Sequence, residues 1–352
     1  MKAFITASGT HLPEQVVTNE HLVDKLGLSP EQIFKSSGIR ERRWARRGQT
    51  TSSLAGNALV NANTSLDDID YLLFGTMTPD RFIPGSATAV QAALGLKEIP
   101  CLDIRAACCN TLYGLQLSRA LVATQTASKV ALCLAEVQSA FLNISPAAAT
   151  TSMLFGDGAA ALIVSSKGEE GALEIVDVHL ASDGKYVDDL GIRCPGSEFG
   201  NDGELQDFEP RMVGQSVILQ ASRKMVSTCQ TVLERNSLSI EAVRWIVPHQ
   251  ANANLLAQVG RGLGLRDANK IVSVIEHTGN TSSASMGIAL DKLLRSGDLS
   301  SGDYVLLPAF AAGFTWIHWN SRNVNARQTK SCTSGPAESR VRSVRTRNHW
   351  LT

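Results

Sequence analysis

The sequence lacks paired cysteines and long apolar runs. Its seven cysteines follow no repeating spacing, include no CxxC pair and form no Cys/His cluster at zinc spacing, which argues against a disulfide framework or a structural metal. No apolar stretch approaches the ~18 residues that span a bilayer, and the first residues lack the charged and apolar segments of a secretory signal. We therefore expect a protein of the reducing cytoplasm that does not associate with membranes.

Net charge is also absent, because 33 Lys and Arg residues balance 33 Asp and Glu residues. The balance is uneven along the chain: residues 321–352 hold seven basic residues and one acidic residue, so the remainder carries a net charge of −6. An acidic body argues against a nucleic-acid-binding surface. We predict that 321–352 is a basic, disordered tail. Contact of this tail with nucleic acid or an acidic partner is the weaker alternative.

Short apolar runs alternate with helical patterns in the body of the chain, which predicts an α/β fold. The predicted buried strands are 71–76, 129–136, 159–166 and 245–250, with two more strands in 303–320. Apolar residues from Ile218 to Val232 predict one stripe of a helix.

A polar, glycine-bearing segment at 165–175 divides the body. We therefore predict two similar halves, 1–167 and 168–320.

Adjacent cysteines interrupt the stretch DIRAACCNTLYGL (103–115) between a short strand and a helix. Asn110 and Thr111 are both suitable as the cap of that helix. Unpaired N–H groups and the helix dipole favour a thiolate at such a position. Buried, inert cysteines are the alternative, and the spacing does not choose between Cys108 and Cys109.

Two further polar residues occupy strand-to-helix junctions. His249 follows the strand that ends in VPHQ, and Asn280 lies in the turn HTGNTSSAS before a helix. A hydrogen-bonded structural histidine, as we expect for His277, and a simple helix cap are the alternatives. Because sites in α/β proteins gather at the carboxyl ends of strands, a cysteine, a histidine and an asparagine at such ends indicate a catalytic centre.

The motifs together resemble the thiolase superfamily, and within it β-ketoacyl-acyl-carrier-protein synthase III. The matching segments are ASGTHLPEQVVTNEHL, SSGIRERR, DIRAACCNTLYGL, LFGDGAAALIV, SDGKY, VPHQANANL, HTGNTSSAS and FAAGFTW. The resemblance implies a duplicated five-layer αβαβα fold and a homodimer. It places the nucleophile on Cys108 with His249 and Asn280 as its catalytic partners, and an oxyanion hole on the backbone N–H groups of Cys108 and Ala312.

The function that this resemblance implies is a decarboxylative Claisen condensation. An acyl primer, delivered by acyl-CoA or an acyl carrier protein, is carried as a thioester on Cys108 and joined to a malonyl thioester. Fatty acid, polyketide or related specialised biosynthesis needs this reaction, and it requires no metal or other cofactor. The alternatives are acyl transfer without decarboxylation, a non-catalytic partner subunit and an unrelated Cys–His hydrolase.

Some positions depart from the family's pattern. Gln32, Ser36 and Ala149 stand where relatives that accept CoA carry a Trp and two Arg around the adenine and phosphates. These changes favour a primer carried by a carrier protein, or a specialised pathway.

Other assignments concern the edges of the site. Ile83 and Asn252 are assigned to the acyl and substrate pocket, with Ile83 offered across the dimer. Asn254 replaces a basic residue in the helix that docks the carrier protein, and Arg261 remains.

Overall fold

The computed structural model describes residues 1–198, 202–212, 214–312 and 315–323. The strands are β1 Phe4–His11, β2 Gln15–Thr18, β3 Glu41–Trp44, β4 Tyr71–Gly75, β5 Cys101–Ile104, β6 Lys129–Glu136, β7 Gly158–Ser165, β8 Leu173–Ser182, β9 Leu190–Gly191, β10 Arg211–Met212, β11 Val243–Ile246, β12 Tyr304–Leu306, β13 Ala309–Ala311 and β14 Thr315–Asn323. The helices are α1 Val23–Leu26, α2 Pro30–Ser37, α3 Thr51–Asn61, α4 Ser86–Leu94, α5 Asn110–Ala123, α6 Ala149–Ser152, α7 Gly214–Arg235, α8 Ala253–Gly262, α9 Ile275–Thr278 and α10 Ser285–Ser296.

The strand order shows that the fold is built twice. In the first half β1, β7, β6, β4 and β5 follow one another, and in the second β8, β14, β12 and β11 do. The first two pairings of each half are antiparallel, and β4–β6 and β11–β12 are both parallel. The two sheets touch through β1 and β8, which share only the pairs Phe4–Glu174 and Ile5–Leu173.

Helices sandwich these sheets in five layers. The helices α3 and α4 share a core with one face of the first sheet, and α7 and α8 share a core with the second. Between the sheets, residues of α5 and α10 belong to one large cluster with both sheets. Gly287 allows α10 to approach β7, since a Cβ there would lie 2.6 Å from that of Ala160. The duplicated αβαβα fold is therefore confirmed.

The central strands β6 and β7 could be predicted from their apolar runs because both of their faces are covered. The residues of β6 and β7 are buried almost throughout, and strands covered on both faces are continuous apolar runs rather than alternating ones. The run 303–320 holds three strands instead of two, because β12 and β13 are separate strands that both pair antiparallel with β14. On α7, Ile218 is exposed and Val217 is buried in its place.

The predicted boundary at residue 167 falls in the connection between β7 and β8. The predicted start of the tail at Ser321 is too early in the chain, because β14 extends to Asn323 and is paired with β8 up to that residue. The rest of the tail lies outside the described residues. In the part of the chain that the structure describes, no helix is long and apolar enough to cross a bilayer, and no group of three or more His, Cys, Asp or Glu is placed to hold a metal ion.

Candidate active site

Cys108 lies in a tight turn between β5 and α5. The turn is a single 3₁₀ segment, Ala107–Cys109, and Ala107 has a φ of +48°, a left-handed conformation that costs an L-residue about 1–2 kcal/mol. The Oδ1 atom of Asn110 accepts a hydrogen bond of 2.6 Å from the N–H of Ala106. Asn110 thus stabilises the strained turn that precedes it. Its side chain does not cap the helix, although its position in the sequence suits a cap.

The segment 280–285 faces this turn from the second half of the fold. The Oγ atom of Ser282 lies 3.5 Å from the Sγ atom of Cys108. The N–H of Ser282 donates to Oδ1 of Asn280 at 2.8 Å, so the acceptor of that amide is occupied and its N–H₂ group faces elsewhere. A hydrogen bond also joins the two halves, because the hydroxyl of Thr111 donates to the carbonyl of Ser283 at 2.8 Å.

His249 reaches the same segment from the end of β11. Its backbone N–H donates to the carbonyl of Pro308 at 3.0 Å, which fixes the chain just after the strand. Its ring Nδ1 lies 2.7 Å from Oγ of Ser285, and the residue is 3% exposed. Asn280 is equally enclosed, since its backbone pairs with Leu154 and Gly156.

One six-residue segment therefore contacts or contains all three predicted catalytic residues. Cys108 touches it through Ser282, His249 touches it through Ser285, and Asn280 begins it. His277 lies apart on the surface, where its Nδ1 is 3.7 Å from Oε1 of Glu41. The structural role expected for His277 stays a prediction.

Burial sets the charge of the two titratable groups. It raises the pKa of the Cys108 thiol to about 11, against the opposing effect of the Ser282 hydrogen bond. It lowers the pKa of His249 to about 4. Both groups are therefore neutral near pH 7. Desolvation, the largest influence on this thiol, disfavours the thiolate expected from the helix dipole.

The region of the predicted oxyanion hole lies beside the cysteine. Strand β13 contacts the Ala107–Cys109 turn, and Ala312 follows that strand directly. Both Cys108 and Ala312 pack against the central core cluster. Ala312 thus lies near the turn that carries Cys108, and its role as an oxyanion donor stays a prediction.

A buried carboxylate that the motifs did not indicate lies near the site. Glu136, at the end of β6, is fully buried and accepts hydrogen bonds from the hydroxyl of Thr78 at 2.8 Å and the N–H of Met77 at 3.1 Å. Burial raises its pKa, and its charge in turn raises the pKa of Cys108. The signal was present, since a Glu closing the apolar run KVALCLAE is unusual for a strand covered on both faces.

The serines of the segment 280–285 were missed as well. The sequence pattern of TSSAS after Asn280 predicts only a polar turn and the start of a helix. Its hydroxyls instead make the contacts to the cysteine and the histidine.

The remaining predicted residues occupy the periphery. Ile83 is 77% exposed beside Phe82, which is 78% exposed, so Ile83 lines no pocket of its own chain. Arg261 is exposed on α8.

The side chain of Asn252 is held by two hydrogen bonds, and its assignment to the substrate pocket stays a prediction. Its Oδ1 caps α8 at the N–H of Asn254, and its Nδ2 donates to the carbonyl of Ser36 at 2.9 Å. Asn254 also donates to that carbonyl, at 3.0 Å. These asparagines join the start of α8 to the end of α2, next to the positions that depart from the CoA-binding pattern.

Two sheets enclose a central helix pair, and a cysteine of one half and a histidine of the other both contact the segment that begins at Asn280. This arrangement defines a condensing enzyme of the thiolase superfamily. Residues 102–184 match the family model "3-Oxoacyl-[acyl-carrier-protein (ACP)] synthase III", and residues 233–318 match the model of its C terminal. The chain belongs to the β-ketoacyl-[acyl-carrier-protein] synthase III family.

Known relatives match along nearly the whole chain. It is 35% identical to the β-ketoacyl-[acyl-carrier-protein] synthase III of Chlamydia caviae over 322 residues, which cover 90% of this chain and 95% of the relative. The enzyme of the same name from Oleidesulfovibrio alaskensis is 36% identical over 323 residues, 90% of this chain and 97% of that one.

Solved structures agree with this assignment. The 3-oxoacyl-(acyl carrier protein) synthase III of Pseudomonas aeruginosa superposes with a TM-score of 0.83 at 32% identity, covering 92% of this chain and 99% of that one. The priming β-ketosynthase of the R1128 polyketide pathway superposes with a TM-score of 0.83 at 26% identity. The match covers 92% of this chain and 97% of that one.

Proposed function

We propose that this protein joins an acyl primer, held as a thioester on Cys108, to a malonyl thioester with loss of CO2, in fatty acid or polyketide biosynthesis. The observation that carries the assignment of roles is the contact of Cys108 and His249 with the segment that begins at Asn280. The intact Cys, His and Asn set favours a condensing enzyme over a non-catalytic subunit.

The first step transfers the acyl group to Cys108. The resting sulfur is a thiol, so its proton leaves as the sulfur attacks the thioester carbonyl, and the departing pantetheine thiol takes up a proton in exchange. The negative oxygen of the tetrahedral intermediate needs donors close by, which the backbone N–H groups of Cys108 and Ala312 supply. Losing one such donor typically lowers the rate by about 10²–10³.

The second step forms the carbon–carbon bond. The malonyl thioester loses CO2 and leaves an enolate, whose oxygen accepts hydrogen bonds from His249 and Asn280. The enolate carbon then attacks the acyl carbon on Cys108, and the sulfur that is released takes a proton from solvent. His249 serves as a neutral donor here, since burial lowers its pKa to about 4.

A carrier protein is the donor that the chain favours for the primer. Gln32 is engaged in the capping box of α2, Ser36 is exposed, and Ala149 is buried in an apolar cluster. None of these side chains offers an aromatic face or a cation to the adenine and phosphates of CoA. Arg261 remains as an exposed cation for an acidic carrier protein.

A homodimer follows from the open edge of the first sheet. Strand β5 ends the strand order, and an uncovered edge strand invites pairing with another chain. Leu102 on that strand is 44% exposed, and Phe82 and Ile83 on the loop before α4 are more exposed still. We propose that a second copy covers this edge and these side chains, as the family's assembly implies.

Intact-protein mass spectrometry tests the proposal. The protein is exposed to acyl-CoA and acyl-carrier-protein primers, and CO2 release from a malonyl thioester is measured in parallel. We expect an acyl adduct in the wild type and in Cys109→Ala, no adduct in Cys108→Ala, and CO2 only where an adduct forms. An adduct without CO2 would establish acyl transfer instead. No adduct with any primer would establish a non-catalytic subunit.

A further inference from the structure

Ser285 is a fully buried serine at the first position of α10, and its hydroxyl has two neighbours. The Oγ atom lies 2.7 Å from Nδ1 of His249 and 3.2 Å from the backbone nitrogen of Gln250. A serine hydroxyl has one proton to donate and two lone pairs that accept. The identity of the donor in each contact therefore decides where the proton of the neutral imidazole lies.

The contact with Gln250 has only one possible direction, because a backbone N–H donates. The hydroxyl proton of Ser285 then needs an acceptor of its own. A serine in a helix usually finds one at the carbonyl four residues before it, which is Thr281. In the part of the chain that the structure describes, the Ser285 hydroxyl makes no hydrogen bond to that carbonyl, and its contacts are those with His249 and Gln250. Among the described residues, Nδ1 of His249 is the acceptor that the Ser285 hydroxyl reaches.

The opposite arrangement is less stable. If Nδ1 carried the proton and donated it, the hydroxyl of Ser285 would have no acceptor inside a buried site. The usual cost of a buried, unpaired hydroxyl makes the Nε2–H tautomer about 5- to 150-fold more populated than the Nδ1–H tautomer. Most molecules therefore hold the proton on Nε2, the ring nitrogen that Ser285 does not contact.

We propose that Ser285 is a positioning residue that holds His249 in the Nε2–H tautomer, so that the ring presents a donor to the thioester carbonyl of the malonyl substrate. This inference rests on the proposed condensation. It also explains the layout of the segment 280–285, since the N–H of Ser282 fixes the acceptor of Asn280 at 2.8 Å and leaves its N–H₂ group free to donate. One short segment thus orients both donors of the enolate.

The tautomer is measured first in the wild-type protein. Histidine labelled with ¹⁵N in the ring gives separate signals for protonated and bare nitrogens, and subtraction of the His249→Gln spectrum assigns residue 249. At neutral pH we expect a bare Nδ1 and a protonated Nε2. A proton on Nδ1 would overturn the inference, whether or not any variant folds.

The kinetic test separates the two half-reactions. Starting from acylated protein, we expect Ser285→Ala to lower the rate of CO2 loss and condensation by at least about 5-fold, up to the 10²–10³ of a lost donor. The rate of Cys108 acylation should change far less, and Ser285→Thr, which keeps the hydroxyl, should recover condensation.

Ser118→Ala is the matched control, because that buried serine bonds only the carbonyl of Gly114 within α5. A condensation rate in Ser285→Ala equal to that of this control would refute the role. The Nε2–H tautomer in a wild-type protein that releases no CO2 would refute the proposed function and leave the tautomer assignment intact.

Discussion

His249 gives the most quantitative prediction, through the pH dependence of stability. Its pKa is about 4 in the folded protein, against 6.5 for an ordinary histidine. The folded state therefore binds fewer protons than the unfolded state when the pH lies between these values. The stability that this buried neutral ring contributes is complete above pH 6.5 and is lost as the pH falls toward 4.

The size of the loss follows from the two pKa values. Between pH 7 and pH 5 the linkage of this single group amounts to about 2 kcal/mol of the free energy of unfolding. His249→Gln removes the titration but keeps an amide that can bond the Ser285 hydroxyl. The variant should therefore lose about 2 kcal/mol less than the wild type on acidification.

Urea unfolding at pH 7 and pH 5 measures the difference. Protein concentration is held constant, because dimerisation would otherwise shift the midpoint. Other buried acids, including Glu136 and Asp157, whose pKa values are also raised by burial, are present in both proteins and cancel in the comparison. Equal losses in wild type and variant would show that His249 is not held neutral by burial.

Three further predictions concern the neighbouring backbone and the sulfur. Ala107→Gly should raise the free energy of unfolding by up to about 1 kcal/mol, since glycine adopts a φ of +48° without strain; a loss in urea unfolding would contradict this. Gly156→Ala should lower stability by about 1–3 kcal/mol, because its Cβ would overlap the carbonyl of Thr278. Condensation should slow more than acylation in this variant, since Gly156 bonds the backbone of Asn280. Alkylation of Cys108 by iodoacetamide should accelerate about tenfold per pH unit from pH 7 to pH 9, as a pKa of about 11 requires; a plateau below pH 8 would exclude that pKa.

The sequence was informative where chemistry and topology coincide. Cys108, His249 and Asn280 each follow a strand or precede a helix, and parallel strands bring such ends together. Their placement at junctions could be predicted, and the family motifs then chose Cys108 over Cys109. The buried strands β6 and β7 were equally legible, because their apolar runs are continuous.

Contacts between distant segments could not be predicted from the sequence in this way. The spacing of TSSAS does not tell that Ser282 reaches the sulfur and Ser285 the imidazole, since both contacts depend on how two halves dock. The charge of Cys108 was mistaken for a related reason. The helix dipole can be inferred locally, whereas the desolvation that opposes it arises from residues throughout the core. The hydrogen bond of Asn252 to the carbonyl of Ser36 could not be predicted either, because that carbonyl belongs to another helix.

The seam between β1 and β8 has a consequence for how the protein acquires activity. Cys108 belongs to the half before that seam, and His249 and Asn280 belong to the half after it. Neither half alone holds the whole set of proposed reacting groups. The chemistry is thus a property of two docked units, and it arises only when both have folded and closed on each other.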